Sequence, residues 1–279
     1  MKPEDFSHLA ELVRRRSGLV LPTHKAPLIE GRLAAVMRRF GFRSTSALIN
    51  ELRHGHDALA RAVSEAMTTN ESSFFRDKAA FDKFRDVILP PLIAARASSK
   101  RLRIWSTACA AGQEAYSIAM ILSDLKLQAN GWSIDLFATD LNSEMIARAE
   151  LGVYSQYEVQ RGLAARRLAS HFTQEGESWR IHENLRRMIA FRQFNLLDSY
   201  GWLDDLDIVF CRNVLLYFNH TTKASVLERI SEILVPDGAL LLGHTETADV
   251  LPKTFARLAR APDFYVHARQ QVPKLAVVG

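Results

Sequence analysis

The feature that most constrains this chain is a change of hydrophobic period near Ser99. Before it, apolar residues recur only at helical spacing. After it, short β-branched and aromatic runs alternate with helical stretches. Phe6, Leu9, Leu12, Val13 and Arg16 share one helical stripe, stopped by Gly18. Ile29, Leu33, Val36, Met37 and Phe40 form a second, stopped by Gly41. Ser44 or Ser46 can cap a third helix carrying Leu48, Ile49 and Leu52. Asp57 can cap a fourth carrying Leu59, Val63 and Met67. Residues 1–72 are therefore expected to form a small helical bundle. A linking segment and longer helix follow over 73–98, with Phe81, Phe84, Val87 and Ile88 inward and an end near Pro90-Pro91.

Residues 99–279 read differently. RLRIWSTA, SIDLFATD, MIAFRQFNLLD, DLDIVFCRN and ALLLGHTE are strands, and most are separated by helical patterns. That alternation predicts an α/β domain with a parallel sheet covered on both faces. FYVHAR predicts a last strand, antiparallel at the sheet edge. Residues 152–190 are too polar for this scheme, and WRIH followed by MIAF suggests a small hairpin-like insertion. The tail QQVPKLAVVG is expected to be loose.

Composition excludes several classes. With 48% hydrophobic and 24% charged residues, the chain is not disordered. Two cysteines build no disulfide framework, so a cytoplasmic protein without a functional disulfide is expected. No apolar run reaches the ~18 residues of a membrane span. The start, MKPEDFSHLAELV, carries acids where a signal peptide has a positive region, so it reads as a mature N-terminus. The nine histidines are read as showing neither HxH nor HExxH spacing, and no metal site is expected. Of the net charge of +5, +4 falls in residues 1–84. That excess suits either a solvated helical surface or a docking face for an acidic partner.

Open parallel sheets bind ligands beyond the carboxyl ends of their strands. The first strand ends in Ser106-Thr107-Ala108-Cys109-Ala110-Ala111-Gly112-Gln113-Glu114. Its small residues allow close approach, but the run lacks the GxGxxG dinucleotide pattern, and Glu114 disfavours a pyrophosphate. The second strand ends at Asp140, placed to accept bonds from ribose hydroxyls or to cap the next helix. The third ends in Phe194-Asn195-Leu196-Leu197-Asp198, the fourth in Cys211-Arg212-Asn213. Acids and amides at three strand ends, without a phosphate loop, fit S-adenosylmethionine better than NAD or ATP.

The same residues carry a family resemblance. The chain resembles the CheR family of protein-glutamate O-methyltransferases, which act on chemotaxis receptors. The matching segments are Thr68–Arg76 (TTNESSFFR), Gly112–Ser117 (GQEAYS), Ala138–Asp140, Phe194–Leu197, Phe210–Phe218 (FCRNVLLYF), Pro236–Gly238 and Gly243–Glu246. The resemblance implies a class I (Rossmann-like) methyltransferase fold with an N-terminal all-helical domain and a small antiparallel β subdomain inserted. It implies methyl transfer from S-adenosylmethionine to receptor glutamates, leaving S-adenosylhomocysteine and a glutamyl methyl ester. By motif, Asn70, Ser72 and Arg76 should reach the cofactor from the interdomain segment. Glu114 should take part of its methionine or ribose end, Asp140 the ribose, and Asn195 and Leu196 the adenine. Arg212, Asn213 and Tyr217 should lie near the sulfonium and the incoming glutamate. Arg76, Arg212 and Tyr217 are the catalytic candidates, with the division of labour between the arginines left open.

The implied partners are chemoreceptor cytoplasmic helices, which a basic N-terminal domain would meet faster. Localisation is then cytoplasmic, with recruitment to receptor arrays at the inner face of the membrane. Some relatives bind a receptor C-terminal pentapeptide through a longer loop near 171–186; the shorter stretch here predicts no strong binding. A nucleic-acid methyltransferase is disfavoured because CRNVLLYF stands where a proline-containing [ND]PP[YF] element is expected. A non-catalytic S-adenosylmethionine-binding module is disfavoured by the presence of Arg76, Asp140 and Tyr217.

Overall fold

A computed structural model describes residues 1–246 and 251–268. Four helices open the chain: α1 (Pro3–Ser17), α2 (Ala26–Phe40), α3 (Thr45–Arg53) and α4 (Asp57–Ala66). Gly18 and Gly41 end α1 and α2 in the left-handed conformation, at φ 78° and 77°, where a Cβ is strained. Ser44 caps α3 by accepting from the Ala47 N–H. The cap of α4 is His56, whose Nδ1 accepts from the Leu59 N–H; Asp57, the expected cap, is the first helical residue instead. The histidine spacing needs a correction: His54 and His56 do form an HxH pair. His54 Nδ1 instead lies 2.8 Å from the Asn50 carbonyl, so the two rings serve separate helix ends.

The linking helix does not end at its prolines. It runs as α5 (Lys78–Lys83), a π turn over Phe84–Ile88, and α6 (Leu89–Ala95). Pro90 and Pro91 sit in the first turn of α6, and the wider π turn before them removes the need for their missing N–H groups.

The sheet strands are β1 (Arg101–Ser106), β2 (Ser133–Asp140), β6 (Ile189–Gln193), β7 (Leu206–Cys211), β8 (Leu234–Leu242), β9 (Phe255–Leu258) and β10 (Ala261–His267). Their order is β6-β2-β1-β7-β8-β10-β9. The first five in that order are parallel; β10 runs antiparallel to both its neighbours, β8 and β9. FYVHAR is thus antiparallel as expected but not at the edge, because β9 covers it. Helices α7 (Gln113–Asp124), α8 (Ser143–Leu151) and α12 (His220–Ile233) are among the crossovers. The inserted sheet contains β3 (Val153–Ser155), β4 (Phe172–Glu175) and β5 (Ser178–Ile181), in the order β3-β5-β4. Short helices α9 (Gln156–Gln160), α10 (Ala165–His171) and α11 (Glu183–Arg186) complete it. The expected WRIH–MIAF hairpin does not form: WRIH pairs back to β3 and β4, while MIAF enters the main sheet beside β2. The tail QQVPKLAVVG lies outside the described residues.

Alternation along the central strands divides the core. Leu102, Ile104, Ile208, Phe210, Ala239 and Leu241 face one side with α7 and the linking helix. Trp105, Val209, Cys211, Leu240 and Leu242 face the other, and their cluster continues without a break into Leu9, Leu33, Leu48 and Val63 of the helical bundle. The bundle therefore shares a core with one face of the sheet, which fixes it beside the strand ends.

Candidate active site

A cleft with about 870 Å³ of empty space, its open mouth included, lies at the carboxyl ends of β1, β2 and β7. Every site residue expected from the sequence lines it: Asn70, Ser72 and Arg76 from the interdomain segment, Glu114 from α7, Asp140 from β2, Asn195 and Leu196 after β6, and Arg212, Asn213 and Tyr217 after β7.

The floor is the loop after β1. Ala108, Ala110 and Gly112 adopt positive φ of 47°, 50° and 89°. For alanine this costs about 1–2 kcal/mol per residue, so the surroundings must impose it. They do: the Ala110 N–H donates to Asp140 Oδ2 at 2.9 Å, and Cys109 N–H donates to the Thr139 carbonyl at 2.9 Å. Tyr154, from the inserted sheet, donates its hydroxyl to the Ala111 carbonyl at 2.7 Å. Asp140 is buried, and its Oδ1 accepts from the Asn142 N–H at 2.8 Å. Helix α8 is capped by Asn142, so Asp140 is free of that duty. Burial pushes its pKa up, while the backbone donors oppose this. A carboxylate has about four acceptor positions, so Asp140 can still accept from a ligand's hydroxyls.

The wall is the interdomain segment, pinned by two phenylalanines. Phe74 packs edge-on against Tyr154 and Phe172 of the insertion, at 4.9 and 5.6 Å between centroids. Phe75 packs on Phe81, and its N–H donates to Ser117 Oγ at 2.9 Å. These anchors leave Arg76 half-exposed on the cleft, where its Nη1 donates to the Glu71 carbonyl. Among the described residues Arg76 has no carboxylate partner. Arg212 is the opposite case. Its side chain is 2% exposed. Nη1 meets Glu114 Oε2 at 2.9 Å; Nη2 meets Asp77 Oδ2 at 2.5 Å and the Arg76 carbonyl at 3.1 Å. Glu114 Oε1 also accepts from Ser106 Oγ at 2.9 Å. Burial pushes the Glu114 pKa up, and Arg212 pulls against it.

The roof comes from the N-terminal helices, a contribution the sequence reading misses. Ser17 and Leu19 line the cleft. Val20 N–H donates to the Tyr217 carbonyl at 2.9 Å, and Leu19 bridges Phe218. Asn195 Nδ2 donates to the Arg16 carbonyl at 2.6 Å. Glu65 of α4 accepts from Ser143 and Gln193. The available signal was the apolar run Leu19-Val20-Leu21, directly after a helix-ending glycine.

The donor set fits S-adenosylmethionine. Glu71, Glu114 and Asp140 outnumber Arg76 and Arg212 on the lining by one charge, which suits a ligand with a sulfonium and an ammonium. Among the described residues no glycine lines the cleft, so it offers no phosphate cradle. Asp140 supplies acceptors for vicinal hydroxyls and Arg76 a cation for a carboxylate.

Comparison with known proteins agrees with this geometry. Residues 70–262 match the model of the CheR methyltransferase, SAM binding domain, and residues 4–68 that of the CheR methyltransferase, all-alpha domain. The chain is 36% identical over 269 residues to chemotaxis protein methyltransferase 1 of Pseudomonas aeruginosa, covering 95% of this chain and 98% of that one. It is 34% identical over 270 residues to chemotaxis protein methyltransferase Cher2 of Pseudomonas putida, with the same coverage. The chemotaxis protein methyltransferase of Escherichia coli is 34% identical over 260 residues, 90% of this chain and 86% of that one. With both domain models matched in order and the relatives spanned nearly end to end, the chain belongs to the CheR family of S-adenosylmethionine-dependent chemotaxis methyltransferases.

Proposed function

We propose that this protein esterifies glutamate side chains on the cytoplasmic helices of chemoreceptors, the step that adapts receptor signalling. The observation that carries the reading is the contrast between its two cleft arginines. Both terminal nitrogens of Arg212 are committed inside the protein to Glu114 and Asp77, whereas Arg76, among the described residues, has a carbonyl and no carboxylate as its partner. Arg76 is therefore the cation available to a carboxylate, and Arg212 is a brace.

S-adenosylmethionine supplies an activated methyl group. A glutamate with pKa near ~4.3 is already ionised at neutral pH, so its oxygen is the nucleophile and no general base is needed. The chain's task is alignment at roughly 3–3.5 Å approach. Asp140 holds the ribose, Glu114 the methionine or ribose end, and Asn195 and Leu196 the adenine. Asn70 and Ser72 close over the cofactor from the interdomain wall. Asn213 and Tyr217 face the reacting end, and Tyr217 presents its ring to the sulfonium.

The basic surface of the helical domain, with residues 1–72 as its extent, would speed encounter with glutamate-bearing helices. No described helix is long and apolar enough to cross a membrane, and we place the protein in the cytoplasm, recruited to receptor arrays. The β4–β5 hairpin turns through Gly176 and Glu177 alone, which leaves little loop to grip a receptor C-terminal pentapeptide. Nucleic acid is not expected as a substrate.

The test is transfer of labelled methyl from S-adenosylmethionine to purified receptor cytoplasmic fragments. The expected product is alkali-labile and releases methanol, and it disappears when the acceptor glutamates are changed to alanine. Cofactor binding without transfer to any receptor fragment would replace this reading with a non-catalytic binding module.

A further inference from the structure

We propose that Glu246 is a positioning residue for methyl transfer, holding the loop that presents Asn213 and Tyr217 to the cleft. The inference rests on the reaction proposed above. Glu246 is 7% exposed and does not itself line the cleft. Its Oε1 accepts from the N–H groups of Val214 at 2.8 Å and Leu216 at 3.3 Å. Its Oε2 accepts from Asn213 at 2.8 Å and Gly243 at 2.7 Å. Three of these donors belong to the loop after β7, and the fourth follows β8. The Glu246 N–H also returns to the Gly243 carbonyl at 2.9 Å. One carboxylate thus ties two neighbouring strand ends together.

Two further observations show a built arrangement. Asn213 sits at φ 58°, in the left-handed region, and its N–H is one of those held. A Cβ at Gly243 would stand 2.6 Å from Glu246 Oε2 and 3.1 Å from the Asn213 nitrogen. Glycine is what lets the carboxylate approach. Charge matters too: both oxygens of a carboxylate accept, whereas a glutamine would turn an NH2 toward two N–H donors.

The experiment compares wild type with Glu246→Gln and Gly243→Ala, which disturb the same contact from opposite sides. Methyl transfer is expressed per cofactor-binding site, counted by S-adenosylhomocysteine titration well below the melting temperature. The expected result is kcat per site lower by about tenfold to a hundredfold, as for a misplacement near 1 Å. KM for the receptor fragment changes little. Independently of turnover, the ratio of S-adenosylmethionine to S-adenosylhomocysteine affinity should shift several-fold, because the displaced loop faces the sulfonium. Wild-type kcat per site together with an unchanged affinity ratio, even in a less stable variant, overturns the proposal. If the wild type itself transfers no methyl, the proposed reaction fails, and the affinity ratio alone decides the role of Glu246.

Discussion

Arg212 and Glu114 form a buried ion pair, Nη1 to Oε2 at 2.9 Å, that joins the end of β7 to the first turn of α7. The same guanidinium reaches Asp77, whose side chain is 47% exposed. The two acids should therefore respond differently to loss of the bond. Arg212→Gln leaves Glu114 buried without its counter-ion, which costs about 3–5 kcal/mol. Asp77→Asn loses a partly solvated pair and costs under about 1 kcal/mol. Urea unfolding of both variants checks the ordering. Equal losses would mean that the Glu114 arm does not carry the brace.

The Ala110 and Asn142 N–H groups fix Asp140 in the cleft floor, where the proposed function has it accept from the cofactor's ribose. Asp140→Asn keeps one acceptor oxygen but loses the charge and the second oxygen. A hydrogen bond to a charged group is worth about 1.5–3 kcal/mol. Calorimetric titration should accordingly show S-adenosylmethionine and S-adenosylhomocysteine binding weaker by roughly tenfold to a hundredfold. Both ligands carry the ribose, so a loss for one alone would contradict the assignment.

Acid should remove cofactor binding before it removes the fold. Burial raises the pKa of Glu114 and of Asp140 above their ordinary values. A carboxyl raised in the folded state binds more protons folded than unfolded between the two pKa values. Its contribution to stability therefore falls as pH rises through that window, and acidification does not unfold the protein through these groups. Asp237 has the opposite sign, because its bond to Arg96 lowers its pKa. The stability it contributes is present above its unfolded pKa and lost only as pH falls through the lower, folded one. Cofactor affinity should thus decline on acidification while pH is still above the usual carboxylate range of about 4. Circular dichroism and calorimetry across the same pH series check this; simultaneous loss would show that the carboxylates do not bind in their ionised form.

What was legible in the sequence was whatever local chemistry decides. Gly18 and Gly41 ended helices because a left-handed residue is needed there. Asp140 and Arg212 stood out because charge at the end of an apolar strand has few uses besides a ligand or a partner. What escaped depended on distant partners. The prolines at 90 and 91 predict the end of a helix that a π turn carries through. WRIH and MIAF look alike as strands, and only the packing of β2 decides which joins the main sheet. The different pairing of the two arginines depends on Asp77 and Glu114, residues 135 and 98 positions from Arg212 in the chain. The anchoring part of Glu246 was hidden for the same reason, since its partners are backbone groups of another loop.

The insertion supports the cleft through backbone contact from the loop between α9 and α10, and two glycines separate that contact from ordinary turn strain. Gly162 has φ 94°, and a Cβ there would fall 1.8 Å from the Phe74 carbonyl oxygen. Gly176 has φ 62° in the β4–β5 turn, with none of the described residues within 4 Å of its would-be Cβ. Gly176→Ala should therefore cost only the conformational penalty of about 1–2 kcal/mol and leave cofactor affinity unchanged. Gly162→Ala adds a collision between two backbones that no rotamer relieves. It should cost more than Gly176→Ala and displace Phe74, two residues before Arg76. A displacement near 1 Å in the wall that carries Arg76 is expected to slow transfer by about a hundredfold. Thermal melts and single-turnover rates of the two variants side by side make the comparison. Equal melting temperatures with equal rates would show that the insertion does not set the position of Arg76.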